Sequence, residues 1–326
     1  MENSKPNFMK AVYSYYFPEI RRIVEAVNTD YPHDIFLTSS PIVLDDFHIH
    51  VIDKMLRFYA EVVPDLKKFR NFYPTSGSSE GIREYLSLLA FQGVKQIYTL
   101  EGEYEGYRET ARTRGIETRE MTIDDLLEAP PGHVMLSNPS ARDGNIISND
   151  DIRKICDAGH KVFYDLAYLG ATQKYEFDLS HPNIVAGCIS LSKPLGLFRY
   201  RIGFTFGMDE VPALYANKWF KSIPALMIAE KVFDTLNVQE LYNKYKPWQL
   251  EIVDRVNAEF GLGVVPCDAI LLARLSEKDT AKLTSEQKEM IAQFKRADGY
   301  RFCLTPYFED LEKEKEVVNR RRKNDA

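Results

Sequence analysis

The stretch Ile189-Ser190-Leu191-Ser192-Lys193-Pro194-Leu195-Gly196 constrains the chain more than any other. Apolar residues, two serines at alternate positions and a lysine ahead of a Pro/Gly break read as a buried strand that ends by presenting one amine. A lone lysine there would mean little. Arg201 follows shortly, with Gly203 behind it, so an amine, a fixed cation and two hydroxyls fall within one short turn. That set suits a small molecule carrying both an aldehyde and a phosphate.

A second stretch points to phosphate. Thr75-Ser76-Gly77-Ser78-Ser79-Glu80-Gly81 leads into the helical pattern of residues 82–90. Small hydroxyl residues and a glycine at a helix start leave N–H donors and the positive end of the helix dipole open to an anion. The same run is also a good capping sequence, and alone it supports either reading. Strands are expected at 94–100, 117–121, 133–137 and 161–168, with helices at 106–114 and 151–158 between them. Asp165 closes a largely apolar strand, where a carboxylate is costly unless paired.

The run Ser190-x-Ser192-Lys193-x-x-Gly196-x-x-x-x-Arg201-x-Gly203 resembles the lysine signature of fold-type I enzymes dependent on pyridoxal 5'-phosphate (PLP), the aminotransferase class I/II family. Every fixed position is present. The resemblance covers roughly residues 70 to 305 and gains force from the order of its motifs. It implies a Lys193 Schiff base with PLP, with Lys193, Asp165 and Tyr168 catalytic: Asp165 at the ring nitrogen and Tyr168 near the ring oxygen, from the pattern Asp165-x-Ala167-Tyr168. It implies a phosphate site of Ser76, Gly77, Ser78, Ser190 and Arg201, a further cofactor contact at Ser192, and Tyr104 stacked on the ring. Arg301, in Tyr300-Arg301-Phe302, falls where the family holds the substrate carboxylate. One position departs from the pattern. After Asn138-Pro139, Ala141 stands where the family has an asparagine that bonds the ring oxygen, so either Asn138 supplies that bond or Tyr168 serves the oxygen alone.

The expected fold is α/β, with a mainly parallel seven-stranded-type sheet flanked by helices and a smaller α+β C-terminal domain. Residues 1–45 are expected to pack with the small domain, 46–210 to form the large PLP-binding domain and 211–326 the small one. Helices are expected at 45–63, 225–236, 242–260 and 285–296, a short strand at 34–41, and further strands at 264–266 and 269–275. The aromatic N-terminus reads as a docking segment with a helix bearing Ile20, Ile23, Val24 and Val27, or as a substrate wall that hints at an apolar or aromatic pocket.

A chain of 326 residues can bury a sizeable core, and two domains are the prior. Its net charge of -6 argues against a nucleic-acid surface; the basic run Arg320-Arg321-Arg322-Lys323 is expected to be a solvated tail. Four scattered cysteines without CxxC spacing, Cys156 and Cys188 in apolar contexts, fit buried free thiols in a reducing cytoplasm. No signal core or membrane-length apolar run is expected to make this a secreted or membrane protein. His48 and His50 suggest a metal, but no ligand partner lies near them in sequence and none is assigned. The resemblance implies transamination between an L-amino acid and a 2-oxo acid in a homodimer, with Tyr31 or Tyr59 crossing the interface. A PLP-dependent lyase, or a PLP-binding protein without turnover, is the alternative.

Overall fold

The computed structural model describes residues 5–30, 46–219 and 221–324. Tyr31 and the strand expected at 34–41 lie outside the described residues. Seven strands build the main sheet: β1 (Asn71–Thr75), β2 (Gln96–Leu100), β3 (Glu117–Met121), β4 (His133–Ser137), β5 (Lys161–Leu166), β6 (Ile184–Ser190) and β7 (Gly203–Gly207). Their order is β1-β7-β6-β5-β4-β2-β3. All neighbours pair parallel except those of β7, which runs antiparallel to β1 and β6.

The central strands are near-continuous apolar runs because both faces are covered. Along β5, Val162, Tyr164 and Leu166 face one layer while Phe163 faces the other. The helices are α1 (Pro18–Asp30), α2 (Phe47–Phe58), α3 (Ser78–Phe91), α4 (Glu105–Arg112), α5 (Ile123–Glu128) and α6 (Asn149–Asp157). On Phe163's side, α3 and α4 bring Ile82, Leu86, Leu89, Tyr107 and Ala111. On the other side lie Leu126 of α5, Ile152 and Ile155 of α6, and Val51 and Met55 of α2.

Four helices and a second sheet follow: α7 (Pro212–Asn217), α8 (Ile223–Thr235), α9 (Glu240–Phe260) and α10 (Ser285–Ile291), with strands β8 (Val265–Pro266), β9 (Leu272–Ser276), β10 (Lys295–Arg296) and β11 (Gly299–Cys303). The strands lie in the order β10-β11-β9-β8, all antiparallel. Gln249 of α9, fully buried, fastens this region by donating to the carbonyls of Cys267, Ala269 and Leu272. A last helix, α11 (Thr305–Asn324), lies along α9.

Two sequence expectations are corrected here. The helix expected through residue 296 stops at Ile291, passes through a 3-10 turn, and becomes strand β10, which turns back into β11 at Ala297 with φ of 39°. The basic run at 320–323 is helical, the last turn of α11, and not an unstructured tail; Arg320 is exposed, as expected of a solvated run, and pairs with Glu316. The metal suggestion at His48 and His50 finds no cluster of metal-ligating side chains among the described residues, and His50 pairs with Glu230. All four cysteines are free and buried. No helix among the described residues is long and apolar enough to cross a membrane.

Candidate active site

Parallel strands deliver their C-terminal ends to one edge of the sheet, the usual place for ligands in α/β folds. There β2 leads to Glu103 and Tyr104, β4 ends at Ser137, β5 presents Asp165, and β6 runs into Ser190, Ser192 and Lys193. Arg296 of β10 and Arg301 of β11 close the opposite wall, with Ala11 and Val12 of the N-terminal segment. Together they enclose a cavity of about 280 Å³.

At its centre Lys193 Nζ lies 4.0 Å above the Tyr168 ring. Tyr168 is 1% exposed, and its hydroxyl has no hydrogen-bond partner. Asp165 is 3% exposed and accepts from Tyr107 Oη at 2.7 Å, the Ala167 N–H at 2.9 Å and Cys188 Sγ at 3.4 Å. Burial raises its pKa, against the opposing pull of Tyr107 and Lys193.

Arg201 sits at the other end. Its residue is left-handed, with φ of 53°, and its guanidinium donates to Ser76 O at 2.9 Å, Ser79 Oγ at 2.9 Å and Ser192 Oγ at 3.4 Å. Gly77 precedes α3 with φ of 73°, and a Cβ there would lie 2.5 Å from Arg201 Nη2. No side chain caps α3, so the first-turn donors beside Ser78 and Ser79 stay open to a ligand. Glu80 holds the turn from behind, accepting the Ser76 N–H at 2.6 Å and pairing with Lys221 at 2.6 Å.

The structure therefore brings Ser78, Tyr104, Asp165, Tyr168, Ser190, Ser192, Lys193, Arg201 and Arg301 to one cavity. Ser76 and Gly77 shape its rim through the backbone and do not line it. Asn138 lies outside it as well. Its Oδ1 accepts the Ile147 N–H, and its Nδ2 donates to Ile147 O and to Tyr164 Oη, so no polar group is left over for a ligand. Tyr59, one suggested interface residue, is 1% exposed and packs against Phe58 and Phe233. The N-terminal aromatics Tyr15 and Phe17 pack against Tyr245, on α9, instead of walling the cavity.

Sequence reasoning missed Ser79, Glu103, Ser137 and Arg296 in the lining. Ser79 belongs to the serine run already singled out, and Glu103 precedes Tyr104; both were within reach. Arg296 gave no signal because its segment reads as helix. Glu103 is buried, accepting Ser137 Oγ at 2.6 Å and Ser140 Oγ at 2.5 Å, and burial raises its pKa.

The residues fit PLP on the structure's own terms. An unpartnered buried hydroxyl on Tyr168, a buried carboxylate on Asp165, an amine on Lys193 and an open helix start crossed by Arg201 are what a phenolic oxygen, a pyridine nitrogen, an aldehyde and a phosphate require.

Residues 11–232 match the family model described as aminotransferase class I and II. No curated protein matches the chain in sequence. Among solved structures, the fold is similar to a histidinol-phosphate aminotransferase from Sinorhizobium meliloti in complex with PLP, at 15% identity and a TM-score of 0.66, covering 90% of this chain and 84% of that one. It is similar to a protein from Escherichia coli with a methionine aminotransferase function, at 13% identity and a TM-score of 0.68, covering 93% and 90%. A PLP-bound C-S lyase from Staphylococcus hominis is similar at 12% identity and a TM-score of 0.65, covering 89% and 84%. At these identities the likeness is one of fold. With the family model spanning more than half of its length, the chain belongs to the aminotransferase class I and II family, whose enzymes use PLP.

Proposed function

We propose that the protein transfers an amino group between an L-amino acid and a 2-oxo acid, with PLP held by Lys193. The observation that carries this reading is the position of Lys193 Nζ over Tyr168, between buried Asp165 and the Arg201 turn. PLP, when bound, supplies an electron sink for the bond broken at the substrate's α-carbon. Everything else falls to the chain.

Lys193 would hold the cofactor's aldehyde carbon, and its Nζ, when free, would serve as the base that takes the proton from the substrate's α-carbon. It is the one lysine among the described residues lining the cavity. Asp165 keeps a proton on the ring nitrogen, and the Tyr107 hydroxyl fixes the carboxylate's direction. The Tyr168 hydroxyl donates to the ring oxygen. Arg201, Ser78, Ser79, Ser190 and Ser192 neutralise and orient the phosphate. Arg301, 7% exposed with its Nη1 on Ala141 O and its Nη2 on Lys10 O, retains a buried Nε–H for the substrate carboxylate. We read the enzyme as a cytoplasmic homodimer, which light scattering of the purified protein tests directly.

The deciding experiment is the absorption spectrum of the purified, PLP-loaded protein during additions of single amino acids. One donor should convert the visible band to the pyridoxamine form, and one 2-oxo acid should restore it. Release of ammonia and a 2-oxo acid without that conversion would establish a lyase. An unmoved band with every amino acid would leave a binding protein without turnover. Lys193→Ala should lose the visible band and lower turnover at least about 10³-fold; normal rates in that variant would overturn the assignment.

A further inference from the structure

The roles above leave one buried carboxyl of the cavity unused. Glu103, 6% exposed, follows β2 and lines the cavity beside Tyr104. Its Oε2 accepts Ser137 Oγ at 2.6 Å and its Oε1 accepts Ser140 Oγ at 2.5 Å. Each serine oxygen in turn accepts a backbone N–H, from Ala141 at 2.6 Å and from Arg142 at 3.2 Å. An N–H can only donate, so both hydroxyl protons are directed at Glu103. Position 103 therefore calls for an acceptor on each oxygen, which a carboxylate supplies and a carboxamide does not.

This network ends on Arg301. The Arg142 N–H and the Ala141 carbonyl belong to one planar peptide unit, so the serine that holds the N–H also aims the carbonyl, on the unit's opposite side. That carbonyl accepts Arg301 Nη1. A second carbonyl, that of Lys10, accepts Nη2 at 3.2 Å. Ala141, 4% exposed, shares an apolar cluster with Leu272 of β9 and Cys303 of β11, so the loop after β4 meets the second sheet at this residue. The position that lacks the family's asparagine thus acts through its backbone.

Resting on the aminotransferase reading, we propose that Glu103 is a positioning residue for the substrate: through Ser137, Ser140 and the Ala141 carbonyl it sets the Arg301 guanidinium that receives the substrate's carboxylate. Lys193 follows β6 of the main sheet, and Arg301 belongs to β11 of the second. Glu103, anchored at the same edge as Lys193, registers the arginine against the amine. A guanidinium fork meets a carboxylate through paired, directional hydrogen bonds, so a small displacement of the fork loses affinity.

The test is calorimetric titration of the PLP-loaded protein with butyrate, an unreactive monocarboxylate. Glu103→Gln should weaken butyrate about fivefold or more. Removing a negative charge from the cavity would by itself tighten an anion, so weaker binding reports position and not charge. Ser140→Ala, which deletes one strut and keeps every charge, should weaken butyrate about threefold. In an Arg301→Gln background, neither change should have a further effect, because both act through that side chain. Butyrate bound by Glu103→Gln as tightly as by the parent, or more tightly, would overturn the proposal. So would the same loss in the Arg301→Gln background, or an Arg301→Gln variant that binds butyrate as the parent does. Should Glu103→Gln fail to fold, Ser140→Ala decides alone, and parental affinity there overturns the proposal. Because butyrate does not react, a protein whose affinity follows Glu103 through Arg301 yet never transaminates would sink the transamination reading and leave the positioning role standing. One that transaminates with butyrate affinity indifferent to Glu103→Gln does the reverse.

Discussion

Asp165 carries a cost of burial that, on the proposed reading, the cofactor's ring nitrogen would offset. Its carboxyl is buried and its pKa raised, so the cofactor-free fold resists ionising it. Below the ordinary carboxylate value both folded and unfolded chains hold the proton, and the group is neutral to stability. As pH rises through the raised folded value, the unfolded chain is already ionised while the folded one must charge a buried group, so stability falls. Asp165→Asn should therefore stabilise the cofactor-free protein by on the order of 1 kcal/mol at neutral pH. That gain should vanish toward about pH 4. Turnover should fall in the same variant because the ring nitrogen loses its counter-charge. Thermal denaturation across pH, with a parallel rate measurement, checks both; a variant less stable than the parent at neutral pH would contradict the argument. The sequence announced this residue, because a carboxylate after an apolar strand is conspicuous. It did not announce that Asn138 is spent on Ile147 and Tyr164, since nothing in the local residues specifies which way an amide turns.

At the scale of elements, the turn into α3 shows how backbone geometry builds a binding site. Gly77 occupies the left-handed region, which costs an L side chain about 1 kcal/mol. A methyl there would also meet the Arg201 guanidinium. Gly77→Ala should thus raise the PLP dissociation constant about tenfold and lower stability by about 1–2 kcal/mol. Equilibrium dialysis and urea denaturation separate the two effects. Unchanged PLP affinity would mean that Arg201 does not depend on this glycine for its position. The main sheet was legible because buried parallel strands advertise themselves as short apolar runs between helices. The β10 strand was not. Its residues continue the polar pattern of α10, and only the turn at Ala297 and Asp298 brings Arg296 opposite Gly299 of β11. Long-range pairing, which periodicity does not report, decides that segment.

Across the whole molecule, the N-terminal segment ties the loop that carries Lys193 to the second sheet. Met9 exchanges both backbone hydrogen bonds with Cys303 of β11, at 3.2 and 3.1 Å, while Lys10 O accepts from Arg301 at 3.2 Å. Further along, Ser14 Oγ donates to Ser192 O, and the Tyr15 carbonyl lies so close to Gly196 that a Cβ there would come within 2.3 Å of it. The segment is then locked by Glu312 of α11, whose carboxylate accepts Tyr15 Oη at 2.7 Å and Arg21 Nη2 at 2.6 Å. Tyr15 is fully buried, so removing that acceptor strands its hydroxyl. Glu312→Ala should cost about 2–3 kcal/mol, the range for leaving buried polar partners unmatched. Its effect should also travel. Freed from Glu312, residues 8–17 should lose hydrogen-exchange protection, and the carbonyl that steadies Arg301 should move with them, raising KM with little change in kcat. Loss of stability with KM unchanged would show that Arg301 is held from its own strand, and that the N-terminal segment serves only to join the two sheets.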